Sequence, residues 1–488
     1  MTTIAAPLRV EQVALRRAAT PVVRTGMGFQ RSRAASRRLS GAVLVAGVGG
    51  GLVPEVRVGD VVVATEVRDG ESTVACSSAP LLASALRRLG LTVHCGPVAS
   101  SRTLATDSAR GGLASTGAIA VDMESAWLAP ADGSPFAVVR AISDTVGSSL
   151  VRPGIVADGW TALRALSRAV PALDTWAGAI GPREVRVASP RSFCAGVERA
   201  IDIVARALDR YGAPVYVRRQ IVHNAHVVRD LEQRGAVFVD EVDDAPPGST
   251  LVFAAHGVAP SVREQATAGG HSVIDATCPL VTKVHAEVRR YAARDTTIFL
   301  IGHADHEEVV GTVGEAPSDV VVVPSPDAAS LVQARDPSRV AYVTQTTLAT
   351  DEAEQIIEVL RQRFPELRGP DRDDICYATT NRQQAVREIA RDCDLVLVVG
   401  SANSSNSLRL VEVAQREGAS ARLIEDAGDL TLTELSAVSR IGVTAGASAP
   451  PHLVDELISA LGGLGPLTVQ ESAGVAENLQ FTLPREVT

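Results

Sequence analysis

The sequence predicts an α/β protein built as two successive α/β series, and three observations predict it. From residue 41 onward, apolar runs of strand length alternate with segments of helical period, the pattern of sheets covered by helices and mainly parallel in strand direction. Glycine and proline break that pattern at AGAIGPRE (177–184), and a fresh series opens with VRVAS (185–189). A chain of 488 residues also exceeds what a single hydrophobic core usually serves. The expected organisation is a first domain over 1–180, a second over 181–465 and a loose tail over 466–488.

The elements follow in order. Residues 1–38 hold eight arginines and one acid, Glu11. That is either the composition of a transit peptide or a folded start, in which VVRTGMG (22–28) is a strand running into a glycine turn. GAVLVAGVGGGL (41–52) reads as a buried strand ending in a glycine-rich loop, and GDVVVATEV (59–67) as a second strand. APLLASALRRLG (79–90) has helical spacing and a glycine stop. AIAVDMESAWLA (118–129) turns from strand to helix, FAVVRAISD (136–144) is a strand with a polar end, and WTALRALSRAVPAL (160–173) is helical.

Composition excludes several classes. Net charge is −9 with 46% hydrophobic residues, which gives no basic footprint for nucleic acid and argues against bulk disorder. No apolar run reaches membrane-spanning length, and the start lacks the apolar core of a secretory signal, so neither a membrane nor export is expected. Six scattered cysteines do not form a disulfide scaffold, and a reducing cytoplasm is the expected setting. Lys283 is the sole lysine, which argues against a Schiff-base or P-loop lysine.

In the second series a cysteine recurs where an extended segment gives way to a helical one. VRVASPRSF precedes Cys194, HSVIDAT precedes Cys278 and DDI precedes Cys376, each followed by a helical period. This implies three similar αβ modules. A thiol at a helix N-terminus is expected to have a lowered pKa and to stabilise a negative cluster. Soft thiolates suit an Fe–S cluster, zinc or copper(I); three would fill three corners of a cubane and leave one iron open. Cys76, Cys95 and Cys393 read as small buried hydrophobes. Polar clusters follow the apolar runs: His223 in IVHN, His256 in FAAHGV, His303 and His306 in IGHADHEE, then VTQTT (343–347), VVGSANSSNS (398–407) and VTAGAS (443–448). The carboxyl ends of parallel strands are where α/β sheets bind ligands, and such side chains donate to phosphate. Glu308, two residues from His306, suits a proton donor if burial raises its pKa.

The ordered motifs SPRSFCAGVERA, IVHN, AAHGV, DATCPLVTKVH, GHADHEEVVGTVG, TQTT, GSANSSNS and VTAGASAP closely resemble the 4-hydroxy-3-methylbut-2-enyl diphosphate reductase (LytB) family over about 185–465. The resemblance implies three αβ modules (about 196–278, 279–375, and 376–463 with 183–195) in pseudo-threefold arrangement around a central [4Fe–4S] cluster on Cys194, Cys278 and Cys376. It implies diphosphate binding by His223, His256, Ser404, Ser405, Asn406 and Ser448, with His306 facing the substrate. Glu308 would deliver protons, and Thr346 and Thr347 would sit beside the substrate hydroxyl. The implied reaction is reductive removal of that hydroxyl as water, the last step of the non-mevalonate isoprenoid pathway, giving isopentenyl and dimethylallyl diphosphates. A ferredoxin- or flavodoxin-like carrier would supply the electrons. Two positions depart from the family: Ser192 stands where a glycine is expected, and Glu307 where proline is common. Both bear on local loop geometry.

The first series resembles the nucleoside phosphorylase and nucleosidase superfamily through APLRVEQVALRR, TGMG, VGDVVVATE, AIAVDMESA and VVRAISD. That implies Met123 and Glu124 as a ribose-binding pair, Asp144 as a purine-protonating acid and Glu11 as an upstream carboxylate, in an active or a degenerate domain. The competing classes are therefore a nucleoside-cleaving enzyme and a non-catalytic Fe–S sensor, which would keep the cysteines but could discard Glu308, Thr346 and Ser404–Asn406.

Overall fold

A computed structural model describes residues 2–105, 107–146 and 154–488. The chain divides into two compact units, one of Met1–Val185 with Asp426–Ile441 and Asp455–Val469, the other of Arg186–Glu425 with Gly442–Val454 and Gln470–Thr488. Among the described residues no helix is long and apolar enough to cross a membrane.

The first unit carries an eight-stranded sheet. Val22–Arg24, Thr2–Ala6, Ala42–Gly51, Ala120–Asp122, Val93–Ser100, Val61–Arg68 and Thr73–Ala75 follow one another, and Phe136–Asp144 pairs with both Ala42–Gly51 and Val61–Arg68. The folded reading of residues 1–38 holds: two strands there alternate with the helices Arg9–Ala14 and Phe29–Ser36. The sheet is mainly parallel as expected, with three antiparallel pairings. Thr73–Ala75 turns back on Val61–Arg68 because Asp69 Oδ1 accepts the N–H groups of Glu71 and Ser72, which makes the hairpin turn. The glycine run expected as a loop is instead the end of the strand Ala42–Gly51. A Cβ at Gly47 would lie 2.5 Å from Glu11 and 2.6 Å from Arg140, so bare backbone is what lets the strand pass two buried charged side chains.

The remaining strands form three sheets, two of them wholly within the second unit. Ala236–Val239, Val215–Arg218, Thr250–Phe253 and Ser272–Asp275 form one, all parallel. Val320–Val323, Thr297–Ile301 and Val340–Thr344 form another, also parallel. The third has the order Ser420–Ile424, Leu395–Val399, Arg440–Ala445, Arg183–Val187, Leu467–Glu471. Each sheet is covered by its own helices through separate apolar clusters, for example around Ile203 and Leu231, around Phe299 and Leu360, and around Val396 and Leu410. Parallel strands buried on both faces explain the continuous apolar runs in the sequence.

Two expectations need correction here. Residues 470–488 are not loose. Val487 is buried in the cluster with Ile203 and Leu231, and the carbonyls of Thr482 and Glu486 accept bonds from Arg199 and Tyr211. The segment is held by side chains from elsewhere, so it shows no periodicity of its own. Cys95 is exposed rather than buried, with Arg87 at 3.7 Å from its sulfur, whereas Cys76 and Cys393 are core residues as expected.

Candidate functional site

Three helices of the second unit begin at the three recurring cysteines. Cys194 caps Ala195–Tyr211, Cys278 caps Pro279–Ala292 and Cys376 caps Tyr377–Ala390. Cys194 and Cys278 follow strand ends as read. Before Cys376 there is no strand: Asp374 turns inward and its Oδ2 accepts the Thr344 N–H at 3.1 Å, taking the place of a ladder bond. All three cysteines line one cavity.

The thiols differ from expectation in their acidity. The helix N–H groups are present, and Cys376 Sγ accepts from Thr379 N at 3.4 Å. Burial outweighs them, with the neighbouring thiolates adding to it. The Cys278 thiol is pushed up to about 12 and that of Cys376 to about 11. The two buried thiols of Cys278 and Cys376 therefore need positive charge beside them to ionise. Gly196 keeps that space open: a Cβ there would lie 2.7 Å from Cys278 Sγ and 3.9 Å from Cys194 Sγ. Among the described residues no three His, Cys, Asp or Glu side chains converge on a single-ion position. The soft donor set and the reserved space fit a polynuclear metal–sulfur group better than one zinc ion.

Opposite the thiols stand three histidines. The rings of His223 and His256 stack with centroids 4.1 Å apart, and His306 meets them edge-on at 5.9 and 6.0 Å. Burial lowers all three, His223 and His306 to about 4. They are thus neutral donors that a bound anion would draw toward protonation. His306 Nδ1 accepts the Glu308 N–H at 3.2 Å, which leaves Nε2 to carry the proton. His303, grouped with them in the sequence, instead bonds Arg409 at 2.7 Å and does not line the cavity.

Glu308 is 2% exposed and opens the helix Glu307–Gly314. Its two oxygens accept from Thr346 N at 2.7 Å and Thr346 Oγ1 at 2.8 Å. Burial raises its pKa to about 7 against those donors, with Asp374 adding repulsion. A carboxyl so tuned delivers or accepts a proton near neutral pH. Thr347 Oγ1 lies 3.1 Å from Ser405 Oγ, and Gln345 Nε2 donates to Thr347 Oγ1 at 2.8 Å. Ser404 caps Ser405–Arg416, its hydroxyl 3.4 Å from that of Ser448. Asn406 Oδ1 accepts the Ala447 N–H at 2.9 Å. His223, His256, His306, Glu308, Thr346, Thr347, Ser404, Ser405, Asn406 and Ser448 all line the same cavity as the cysteines. Phe481 lines it too, a residue the reading of a loose tail concealed.

The departures from the family pattern have structural counterparts. Ser192 adopts φ 60, the left-handed conformation that favours glycine. Glu307 pairs with Arg219 at 3.4 Å and stands 3.6 Å from His256 Nδ1.

The first unit has its own cavity, lined by Glu11, Met123, Glu124 and Asp144 among others. Fully buried Arg140 pairs with Asp122 at 2.9 Å and Glu124 at 3.3 Å. Burial raises the carboxyls of Glu124, to about 7, and Glu11. Asp144 is tied to Arg110 in an ion pair.

Comparison with known proteins agrees with this division. The family model described as LytB protein matches residues 185–462, and that of the Phosphorylase superfamily matches residues 20–169. The 4-hydroxy-3-methylbut-2-enyl diphosphate reductase of Acidothermus cellulolyticus is 57% identical over 306 residues, 62% of this chain and 90% of that protein. Reductase 1 of Mycobacterium tuberculosis is 54% identical over 313 residues, 63% of this chain and 95% of its own length. The solved E-1-hydroxy-2-methyl-but-2-enyl-4-diphosphate reductase of Plasmodium falciparum superposes with a TM-score of 0.60 at 36% identity, covering 63% of this chain and 97% of that one. The chain belongs to the LytB protein family, and the stretch ahead of the family domain is similar to the Phosphorylase superfamily.

Proposed function

We propose that this chain is a 4-hydroxy-3-methylbut-2-enyl diphosphate reductase, an oxidoreductase of the last step of the non-mevalonate isoprenoid pathway. It would convert that diphosphate with two electrons and two protons into isopentenyl or dimethylallyl diphosphate and water. The observation that carries the reading is a single cavity walled by three thiols, three histidines, one raised carboxyl and a row of hydroxyls. Relatives that match nine-tenths or more of their own length are named for this activity.

Cys194, Cys278 and Cys376 would hold a [4Fe–4S] cluster. When bound, that group supplies an open iron as Lewis acid for the allylic hydroxyl and a path for electrons. The protein's own residues do the rest. His223, His256 and His306 with Ser404, Ser405, Asn406 and Ser448 donate to the diphosphate; its charge offsets the burial that keeps the imidazoles neutral. Thr346 orients the substrate hydroxyl and links it to Glu308, which holds the proton for the departing oxygen. Thr347 and Ser405 support that end through their shared contact. Phe481 fits a role in excluding water. A ferredoxin- or flavodoxin-like carrier is the proposed electron donor, and the cytoplasm, where six free cysteines stay reduced, the proposed location.

For residues 1–180 a binding or scaffold role is favoured over nucleoside cleavage, because Arg110 engages Asp144, the carboxyl that a purine would need as acid. Anaerobic turnover tests the main reading: with a chemical reductant, the full chain should yield both isomeric diphosphates from the hydroxylated one. No product from iron-loaded protein would refute it.

A further inference from the structure

Each helix that begins at a cluster cysteine carries a cation on its second turn, and each cation reaches the loop leading to the next cysteine. Arg199, behind Cys194, donates from Nη1 to the carbonyls of Ala276 at 3.3 Å and Thr277 at 3.2 Å, the two residues before Cys278. Lys283, behind Cys278, donates to the carbonyls of Arg372 at 2.6 Å and Asp373 at 3.1 Å and meets Asp374 Oδ1 at 3.0 Å, in the loop that enters Cys376. Arg382, behind Cys376, donates to the carbonyl of Ser192 at 3.1 and 2.7 Å and to that of Phe193 at 3.1 Å, the two residues before Cys194. The contacts run from the first cysteine to the second, the second to the third and the third back to the first.

The three cysteines stand at the boundaries between the αβ modules, each after the strands of one module or at the start of the helix of the next, so no single sheet sets the distances between their sulfurs. Loop carbonyls outside a sheet have no ladder partners, and a cation that takes them up ties the helix behind one cysteine to the loop before another through charge-assisted bonds. The choice of residue follows the acceptors. Three acceptors gathered around one nitrogen suit a compact ammonium rather than a planar fork, and the chain's single lysine among 47 basic residues stands there. Arg382 spans adjacent carbonyls with Nε and Nη2, and Arg199 meets both of its carbonyls through Nη1 while its Nε holds the Thr482 carbonyl. We infer that Arg199, Lys283 and Arg382 form a closed ring of clasps that holds the three cysteine loops in register, as positioning residues for the metal group. This rests on the reading that the three cysteines share one cluster. Closure makes the links interdependent: once one clasp is open the loops relax, and opening a second costs less.

Arg199→Met is the principal variant, since it strips no partner from a buried acid. Arg199→Lys is its conservative counterpart, and Lys283→Met is made together with Asp374→Asn. Full-length proteins, reconstituted anaerobically with iron and sulfide, are read for the rate of cluster loss to a chelator. The metal-free forms are read for hydrogen exchange of the Cys278 amide, which bonds the Ala255 carbonyl at 2.9 Å. The ring predicts cluster loss and exchange each about tenfold faster in Arg199→Met, with the lysine variant within about threefold of the parent. It also predicts that adding the Lys283 and Asp374 changes multiplies the loss rate by less than they do alone. A parent that loads iron alongside an Arg199→Met protein with unchanged loss and exchange overturns the ring while leaving the cluster reading standing. If the parent takes up no iron, the cluster reading fails, and exchange alone decides: acceleration in Arg199→Met supports the ring, and equality overturns it.

Discussion

Glu308→Gln should separate stability from turnover. In the metal-free protein the Glu308 carboxyl has a pKa of about 7 against an ordinary 4.5, chiefly because it is buried. The folded state therefore binds this proton more tightly than the unfolded chain does. The stabilisation is complete below pH 4.5 and is lost as the pH rises through about 7. That interval corresponds to about 3 kcal/mol, present in acid and absent in alkali. Glutamine is neutral throughout. Its oxygen can accept the Thr346 N–H and its amide can donate to Thr346 Oγ1, so both contacts survive. The variant should match the parent near pH 5 and melt about 6 °C higher near pH 8.5. Loaded with its metal group, it should lose a factor of about 10² to 10⁴ in turnover, the usual contribution of a general acid. Thermal melts of the metal-free proteins across that pH range, paired with anaerobic turnover, read both effects. Parallel stability curves, or unchanged turnover, would refute the assignment of a buried protonated acid.

Three further substitutions probe other parts of the account. Gly196→Ala should leave the metal-free fold intact, since a thiol can swing away and alanine favours the helix by about 1 kcal/mol. Iron uptake should fall sharply, because the new Cβ takes the space between two sulfurs; an iron assay after reconstitution reads it, and normal loading would count against a shared group. Ser192→Gly relieves a left-handed backbone and removes a buried hydroxyl that makes no hydrogen bond, so it should stabilise by about 1 kcal/mol after the entropy cost of glycine; a lowered melting temperature would contradict this. Arg140→Met leaves buried Asp122 without its counter-ion in the first unit and should cost about 3–5 kcal/mol, visible as early cleavage within residues 1–180 under limited proteolysis.

Much of the site is legible in the sequence because its side chains sit at strand ends. His256, Cys278, Thr346, Ser404 and Ser448 each close an apolar run, so the pattern that marks strands also marks where their ends converge. What escapes is set by distant partners. Phe481 and Val487 lie in a segment without periodicity that is docked by Arg199 and Tyr211. His303 shares a motif with His306, but its ring is taken by Arg409 from another helix. The acidity of Cys278 and Cys376 is not legible, because local helix N–H groups are visible in a sequence while desolvation by a whole cavity is not. The glycine run at 47–51 looks like a loop until the buried carboxylate and guanidinium that require it are in place.

Iron analysis with Mössbauer spectroscopy of anaerobic full-length protein, before and after adding the hydroxylated diphosphate, bears most directly on whether three thiols share one metal group. Three protein ligands predict about four irons per chain, one of them spectroscopically distinct and altered by the diphosphate. Iron-free protein after reconstitution, or four equivalent irons indifferent to the diphosphate, would contradict it.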